Sequence, residues 1–167
     1  MIQGSPFTTQ IRTIMKFCAE IVDNRIGTPL SVYYLVNAWD SAMRHYPWPR
    51  SIDADPFRSR RTPAMSEVHA ALTSKLIESL GVLVAPNLNV YGFRLSPGLT
   101  ERGVKPEQVR TRMNELFNPN CLKHLGALDV IVEYRSIRPF HVGNERVAVV
   151  LYNFLSGTLD APRKIPN

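Results

Sequence analysis
The stretch Val132-Glu133-Tyr134-Arg135-Ser136-Ile137-Arg138-Pro139-Phe140-His141-Val142-Gly143-Asn144-Glu145-Arg146 joins two segments of helical period through a short break. Before it, Leu125, Leu128, Ile131 and Tyr134 recur on one face of a helix expected from Cys121 to about Ile137. After it, an apolar run from about Asn144 to Leu155 reads as a final helix that Gly157 stops. Pro139 and Gly143 mark the connection as a turn, because proline cannot continue a helix and glycine tolerates the backbone angles of a tight corner.

Outward from this corner the same period recurs. Ile11, Ile14, Met15, Cys18, Ile21 and Val22 form one face of a first helix, entered after Ser5 and Thr8 and ended before Gly27 and Pro29. A second runs from Leu30 to Tyr46, with Tyr33, Val36, Trp39, Ala42 and Met43 in period and Pro47 and Pro49 beyond it. Thr62-Pro63 opens a third that carries Met65, Val68, Leu72, Leu76 and Leu80 and is expected to end at Gly81. Val109, Met113, Leu116 and Phe117 give another after Pro106. Between these last two, Val82 to Gly98 changes period, with β-branched and aromatic runs broken at Pro86-Asn87, and reads as one hairpin. The expected fold is therefore mainly α, a helical bundle with a small β-hairpin flap, in one domain spanning residues 1–167. Residues 157–167, with Pro162 and Pro166, read as a loosely held tail.

Length and composition agree with one core. The chain has 167 residues, 44% hydrophobic and 20% charged, without a block that reads as disordered, collagenous or coiled-coil. Twenty Lys and Arg against fourteen Asp and Glu leave +6, which suits phosphate-bearing partners without specifying one. Cys18 and Cys121 stand far apart and outside any CxxC spacing, so neither a zinc site nor a disulfide framework is read, and a reducing compartment fits. Nothing approaches the ~18 uninterrupted apolar residues of a membrane span. The N-terminal MIQGSPFTTQIRT lacks the layout of a secretory signal. A cytoplasmic protein is expected, or one exported into a host cell as an effector, and no membrane association.

The residues Arg138 to Arg146 resemble the signature of the Fic family, His-Pro-Phe-x-(Asp or Glu)-Gly-Asn-Gly-Arg, which lies between a helix with a similar Tyr-Arg-x-Ile run and an apolar helix. Val147 to Leu155 resembles the helix after that motif, and Tyr91-Gly92-Phe93-Arg94 resembles the flap that lies over the target in Fic proteins. Lys105 to Val109, followed by a helix, matches the family's spacing from flap to core, so the resemblance covers roughly residues 65 to 156. It implies the Fic-like fold, with Tyr91, Gly92, Phe93 and Arg94 as flap and target-binding residues. Pro139, Phe140, Gly143, Asn144 and Arg146 stand where the family has them, and the departures fall on the reactive atoms.

The family's histidine, a general base toward the target hydroxyl, is here Arg138, which stays protonated and cannot accept a proton. The family's acidic residue, which holds magnesium on the α- and β-phosphates, is here Val142, which offers no oxygen, so no metal is expected at this position. The second glycine of the anion-holding turn is Glu145. If its carboxylate folded into that turn it would exclude a phosphate, since like charges ~4 Å apart repel by about 4 kcal/mol at an effective dielectric of roughly 20. The family's inhibitory pattern, Ser/Thr-x-x-x-Glu-Gly/Asn, has no match; the nearest stretch is Ala19 to Asn24.

Each polar residue of the loop has a structural reading beside the functional one. Arg138, Gly143, Asn144 and Arg146 are the candidates for anion or nucleotide binding. Arg138 reads otherwise as a solvated arginine, and Arg146 as the partner of Glu145 or Glu133. His141 and Glu145 are the candidates for a displaced catalytic base, while Glu145 alone reads as a helix-dipole contact. The Arg58-Ser59-Arg60-Arg61 run reads as a solvated charge cluster in a proline-rich surface loop from 47 to 62. Tyr33, Tyr34, Trp39, Tyr46 and Trp48 read as core and helix-end packing.

Three functions follow. The first is a degenerate Fic-fold protein that binds or regulates a partner, standard AMP transfer being incompatible with Arg138 and Val142. The second is an enzyme of altered chemistry that takes a different phosphate-containing donor, such as a nucleotide or nucleotide-sugar, with Arg138 and Arg146 as its clamp. The third is a basic helical domain that binds nucleic acid through Arg58 to Arg61, for which interleaved aromatics are lacking. The expected partner is accordingly a protein or a phosphate-containing small molecule.

Overall fold
The computed structural model describes residues 6–22, 29–48, 62–97 and 103–167, with side chains from residue 10 onward. Among them are α1 (Pro6–Val22), α2 (Pro29–His45), α3 (Met65–Ala71), α4 (Ser74–Val84), α5 (Pro106–Leu116), α6 (Pro119–Leu122), α7 (Ala127–Ile137) and α8 (Asn144–Leu155). The chain is mainly helical, as its period predicts.

Helix α8 is the axis of the packing. Its apolar residues face all round, and Val147 through Leu151, with Asn153, Phe154 and Leu155, are buried, the pattern of a helix enclosed by others. Helices α2, α4 and α7 pack around it, α1 lies on α2, and α5 on α7. Trp39 of α2 is fully buried, with Phe17 of α1 edge-on at 5.5 Å between ring centroids. No described helix is long and apolar enough to cross a membrane.

Several boundaries differ from the sequence expectation, each for a local reason. The helix expected from residue 63 to 80 is divided at Leu72-Thr73, because the Thr73 hydroxyl accepts the N–H of Leu76 at 3.1 Å and caps α4 afresh. Helix α4 then continues through Gly81 to Val84. Gly81 is a contact glycine and not a stop: a Cβ there would lie 2.0 Å from Cε1 of Phe140. The helix expected from Cys121 to Ile137 is likewise two, α6 and α7. Asn118 caps the first, accepting from the N–H of Asn120, and the Asp129 carboxylate accepts the N–H of Gly126 at 3.0 Å before the second.

The expected β-hairpin is absent: residues 85–97 contain no strand and form consecutive turns. Leu88 and Asn89 both donate to the Ala85 carbonyl, and Gly92 donates to that of Asn89, so the backbone is bonded locally and offers no ladder to a second strand. The tail is also held more firmly than its prolines imply. Leu159 is fully buried and its carbonyl accepts the Trp39 indole N–H at 2.9 Å. Asn153 fastens the same segment, accepting from Thr158 Oγ1 and Arg163 N and donating to the Arg163 carbonyl. The Arg58–Arg61 cluster lies outside the described residues.

Candidate functional site
The 138–143 connection is built from the ends of three helices. Helix α7 ends at Arg138, the one non-glycine among the described residues with positive φ (50°), and Gly143 (φ 84°) turns the chain into α8. A Cβ at Gly143 would lie 2.6 Å from Cγ1 of Val84, so a side chain is excluded by both backbone angle and contact. Within the turn, the Asn144 side chain accepts the N–H of Phe140 at 3.0 Å and donates to its carbonyl at 2.7 Å, which closes the loop on itself. Phe140 is buried beneath, on Gly81 and beside Phe93, with ring centroids 5.5 Å apart.

Two residues of the flap stitch it to this loop. Asn89, buried, donates to the carbonyls of Gly81 and Val142, both at 2.9 Å. Arg94 is 3% exposed, and its backbone N–H donates to the Pro139 carbonyl at 2.8 Å. Its guanidinium donates to the carbonyls of Arg138 (2.7 Å), Ile137 (3.5 Å), Ser96 (3.4 Å) and Val104, and so gathers the carbonyl end of α7. Burial and the neighbouring Arg138 charge push its pKa down. Of the four flap residues singled out in the sequence, Arg94 is thus committed to carbonyls, Phe93 is buried, and Gly92 is closed against Glu78; Tyr91 alone, 83% exposed, faces solvent. Leu88, Val90 and Leu95 are exposed beside it.

The polar candidates of the loop are dispersed. Glu145 does not enter the turn: its carboxylate points out to Arg135 of α7, with Oε2 2.8 Å from Nη2 and 3.0 Å from Nε. Glu145 therefore leaves the turn unblocked, contrary to a self-occupied site. Arg146 pairs with neither Glu145 nor Glu133. It is half-buried, its pKa lowered by desolvation, and its Nη1 donates to the Val84 carbonyl at 3.3 Å, which satisfies the end of α4. His141 is partly exposed, with Nε2 3.4 Å from the Ser96 hydroxyl. Among the described residues no three His, Cys, Asp or Glu side chains converge as a metal site.

Other participants were not singled out by the sequence. Glu78 accepts the N–H of Phe93 at 3.3 Å and pairs with Arg110 at 2.7 Å, while the Arg110 guanidinium lies over the Phe93 ring at 5.3 Å. Asn89 follows the Pro86-Asn87 break that marks a turn, but its partner at Val142, 53 residues away, leaves no local signal. Compared with known proteins, the chain matches no protein-family model and no curated protein at a significant level.

Proposed function
We propose that this chain is a binding or regulatory protein on a degenerate Fic-like fold, which presents its flap to a protein partner and does not transfer nucleotides. One observation carries the reading: around the 138–146 loop Arg94, Asn144, Glu145 and Arg146 are committed to partners within the fold, while Leu88, Val90, Tyr91 and Leu95 of the flap are exposed. Arg94 and Arg146 serve helix carbonyls, Asn144 serves Phe140, and Glu145 serves Arg135. Group transfer needs a base in reach of the attacking hydroxyl, and a protonated guanidinium at Arg138 supplies none. Leu88, Val90, Tyr91 and Leu95 are instead exposed apolar residues on a segment held by Asn89, Arg94 and Glu78. A segment fixed in place loses little freedom on docking, which favours recognition.

The second reading, a transferase with another donor, draws on the contact between His141 and Ser96, an imidazole beside a hydroxyl. A working base of this kind is oriented by a third group, and no carboxylate bonds His141 among the described residues.

Both readings are tested on the purified full chain. It is incubated with magnesium and ATP labelled on the α-phosphate, or labelled UDP- and GDP-sugars, and separately screened against a displayed random-peptide library. The binding reading expects no label on the protein or on added acceptor proteins. It also expects selected peptides that bind Tyr91→Ser and Leu95→Ser about tenfold or more weakly. Label transfer that His141→Ala abolishes would establish the transferase and overturn the binding reading.

A further inference from the structure
We infer that the partner segment docked on the flap carries a carboxylate that seats on Arg138, an assignment that rests on the binding reading above. Arg94 and Arg138 are neighbouring cations, joined by the bond from Arg94 Nε to the Arg138 carbonyl, and neither forms an ion pair among the described residues. Among the described residues, the carboxylates that border this region are engaged elsewhere, Glu78 with Arg110 and Glu145 with Arg135. Arg94 loses its solvation to burial but regains hydrogen bonds by donating to the carbonyls it gathers. Arg138 is partly exposed, and among the described residues no carboxylate pairs with it or with its like-charged neighbour.

The backbone of Arg138 adds a second observation. It is left-handed at φ 50°, ψ 66°, a conformation that costs a non-glycine residue energy and is concentrated at functional positions. Glycine or asparagine would relieve that cost at a helix end, yet the position carries a long cation.

The surroundings select the kind of anion. The flap is tied to this corner by the bond from Arg94 N to the Pro139 carbonyl and by the contact of Ser96 with His141. The exposed apolar residues Leu88, Val90, Tyr91 and Leu95 therefore lie on a segment fastened to the Arg138 loop. Exposed apolar residues on a segment fastened to a loop that carries a partly exposed guanidinium complement an extended protein segment in which aliphatic or aromatic residues flank an aspartate or glutamate. The guanidinium fork matches a carboxylate through paired N–H donors, which adds direction as well as charge.

The test uses the full chain and peptides from the displayed library whose binding is weakened by Tyr91→Ser. Each is synthesised as the acid and with its Asp or Glu replaced by Asn or Gln, and affinities are measured by fluorescence anisotropy. The acid form is expected to bind the native chain about tenfold or more tightly than the amide form. Arg138→Asn, which keeps a residue tolerant of left-handed backbone, is expected to bind the two forms alike. Equal binding of acid and amide by the native chain, or selected peptides without an acidic residue, overturns the carboxylate assignment and leaves the flap reading in place. That comparison needs no variant and is independent of how Arg138→Asn folds. If no selected peptide responds to Tyr91→Ser, the flap reading falls and the assignment falls with it.

Discussion

Glu145 and Arg135 are paired across the corner between α7 and α8, with the carboxylate Oε2 2.8 Å from Nη2 and 3.0 Å from Nε of the guanidinium. This pair draws Glu145 away from the turn that it follows. The residue that departs most from a phosphate-binding turn is thus explained by a contact ten residues back along the chain.

Replacing Glu145 by glycine therefore leaves nucleotide affinity where it was. The substitution removes an ion pair whose side chains are 41% and 67% exposed, and it places glycine in the first turn of a helix. Each effect is small, so unfolding in urea should show a loss of about 1 kcal/mol. Calorimetric titration with ATP of both forms checks the first expectation, and a gain in affinity would return Glu145 to the turn.

Asn144 gives a larger effect. Its amide satisfies both backbone groups of Phe140 in a buried turn. Asn144→Ala leaves that N–H and carbonyl without partners, at a cost of about 2–4 kcal/mol in denaturant unfolding. Asn144→Asp keeps the acceptor but loses the donor and sets a carboxylate against the Phe140 carbonyl, so it should also destabilise the fold.

Removal of residues 158–167 should destabilise the domain by about 2–4 kcal/mol, because Leu159 is fully buried and the Asn153 side chain would lose three hydrogen bonds. The Trp39 indole would lose its acceptor at Leu159, and its emission should shift to the red in the truncated chain. An unchanged urea midpoint would show that the tail contributes nothing to the core.

Stability should fall at both ends of the pH scale. His69 is buried and desolvation lowers its pKa below 6.5, so the unfolded chain takes up the proton first as the pH drops. Its contribution is complete above about pH 6.5 and is lost on acidification, and His69→Gln should flatten this limb. At the alkaline end, burial pushes the Cys18 thiol from 9.0 up to about 12. The unfolded chain then ionises first, and stability declines above about pH 9 by up to ~1.4 kcal/mol per pH unit. In the native protein Cys18 should resist a thiol reagent, whereas Cys121, partly exposed, should react; both should react in denaturant.

The elements legible in the sequence are those whose signals are local. The bounds of α8 follow from Gly143 and Gly157, α5 from Pro106, and α2 from Pro29 and Pro47, all close to their observed ends. The flap differs from the hairpin that its sequence suggests because the β-branched Val82 and Val84, with the apolar Leu83 between them, suit a strand equally well. The contact of Gly81 with Phe140 and of the buried Val84 with Gly143 keeps the segment in α4. Arg94 and Arg146 stand out by their resemblance to a motif, but their tasks depend on distant partners, Arg146 on Val84 and Arg94 on Ile137 and Arg138; Asn89, which no motif marks, depends on Val142. A sequence pattern shows which donors are present and leaves open which carbonyls receive them.

Arg146 offers the most direct test of the central claim, that this corner is a structural turn behind a docking flap. The measurement is calorimetric titration of the full chain with ATP, with and without magnesium, beside Arg146→Ala. Because Arg146 caps α4 through the Val84 carbonyl, the account predicts no saturable heat from the native chain and a lowered unfolding midpoint in the variant. Saturable nucleotide binding by the native chain, lost in an Arg146→Ala protein of unchanged stability, would contradict it.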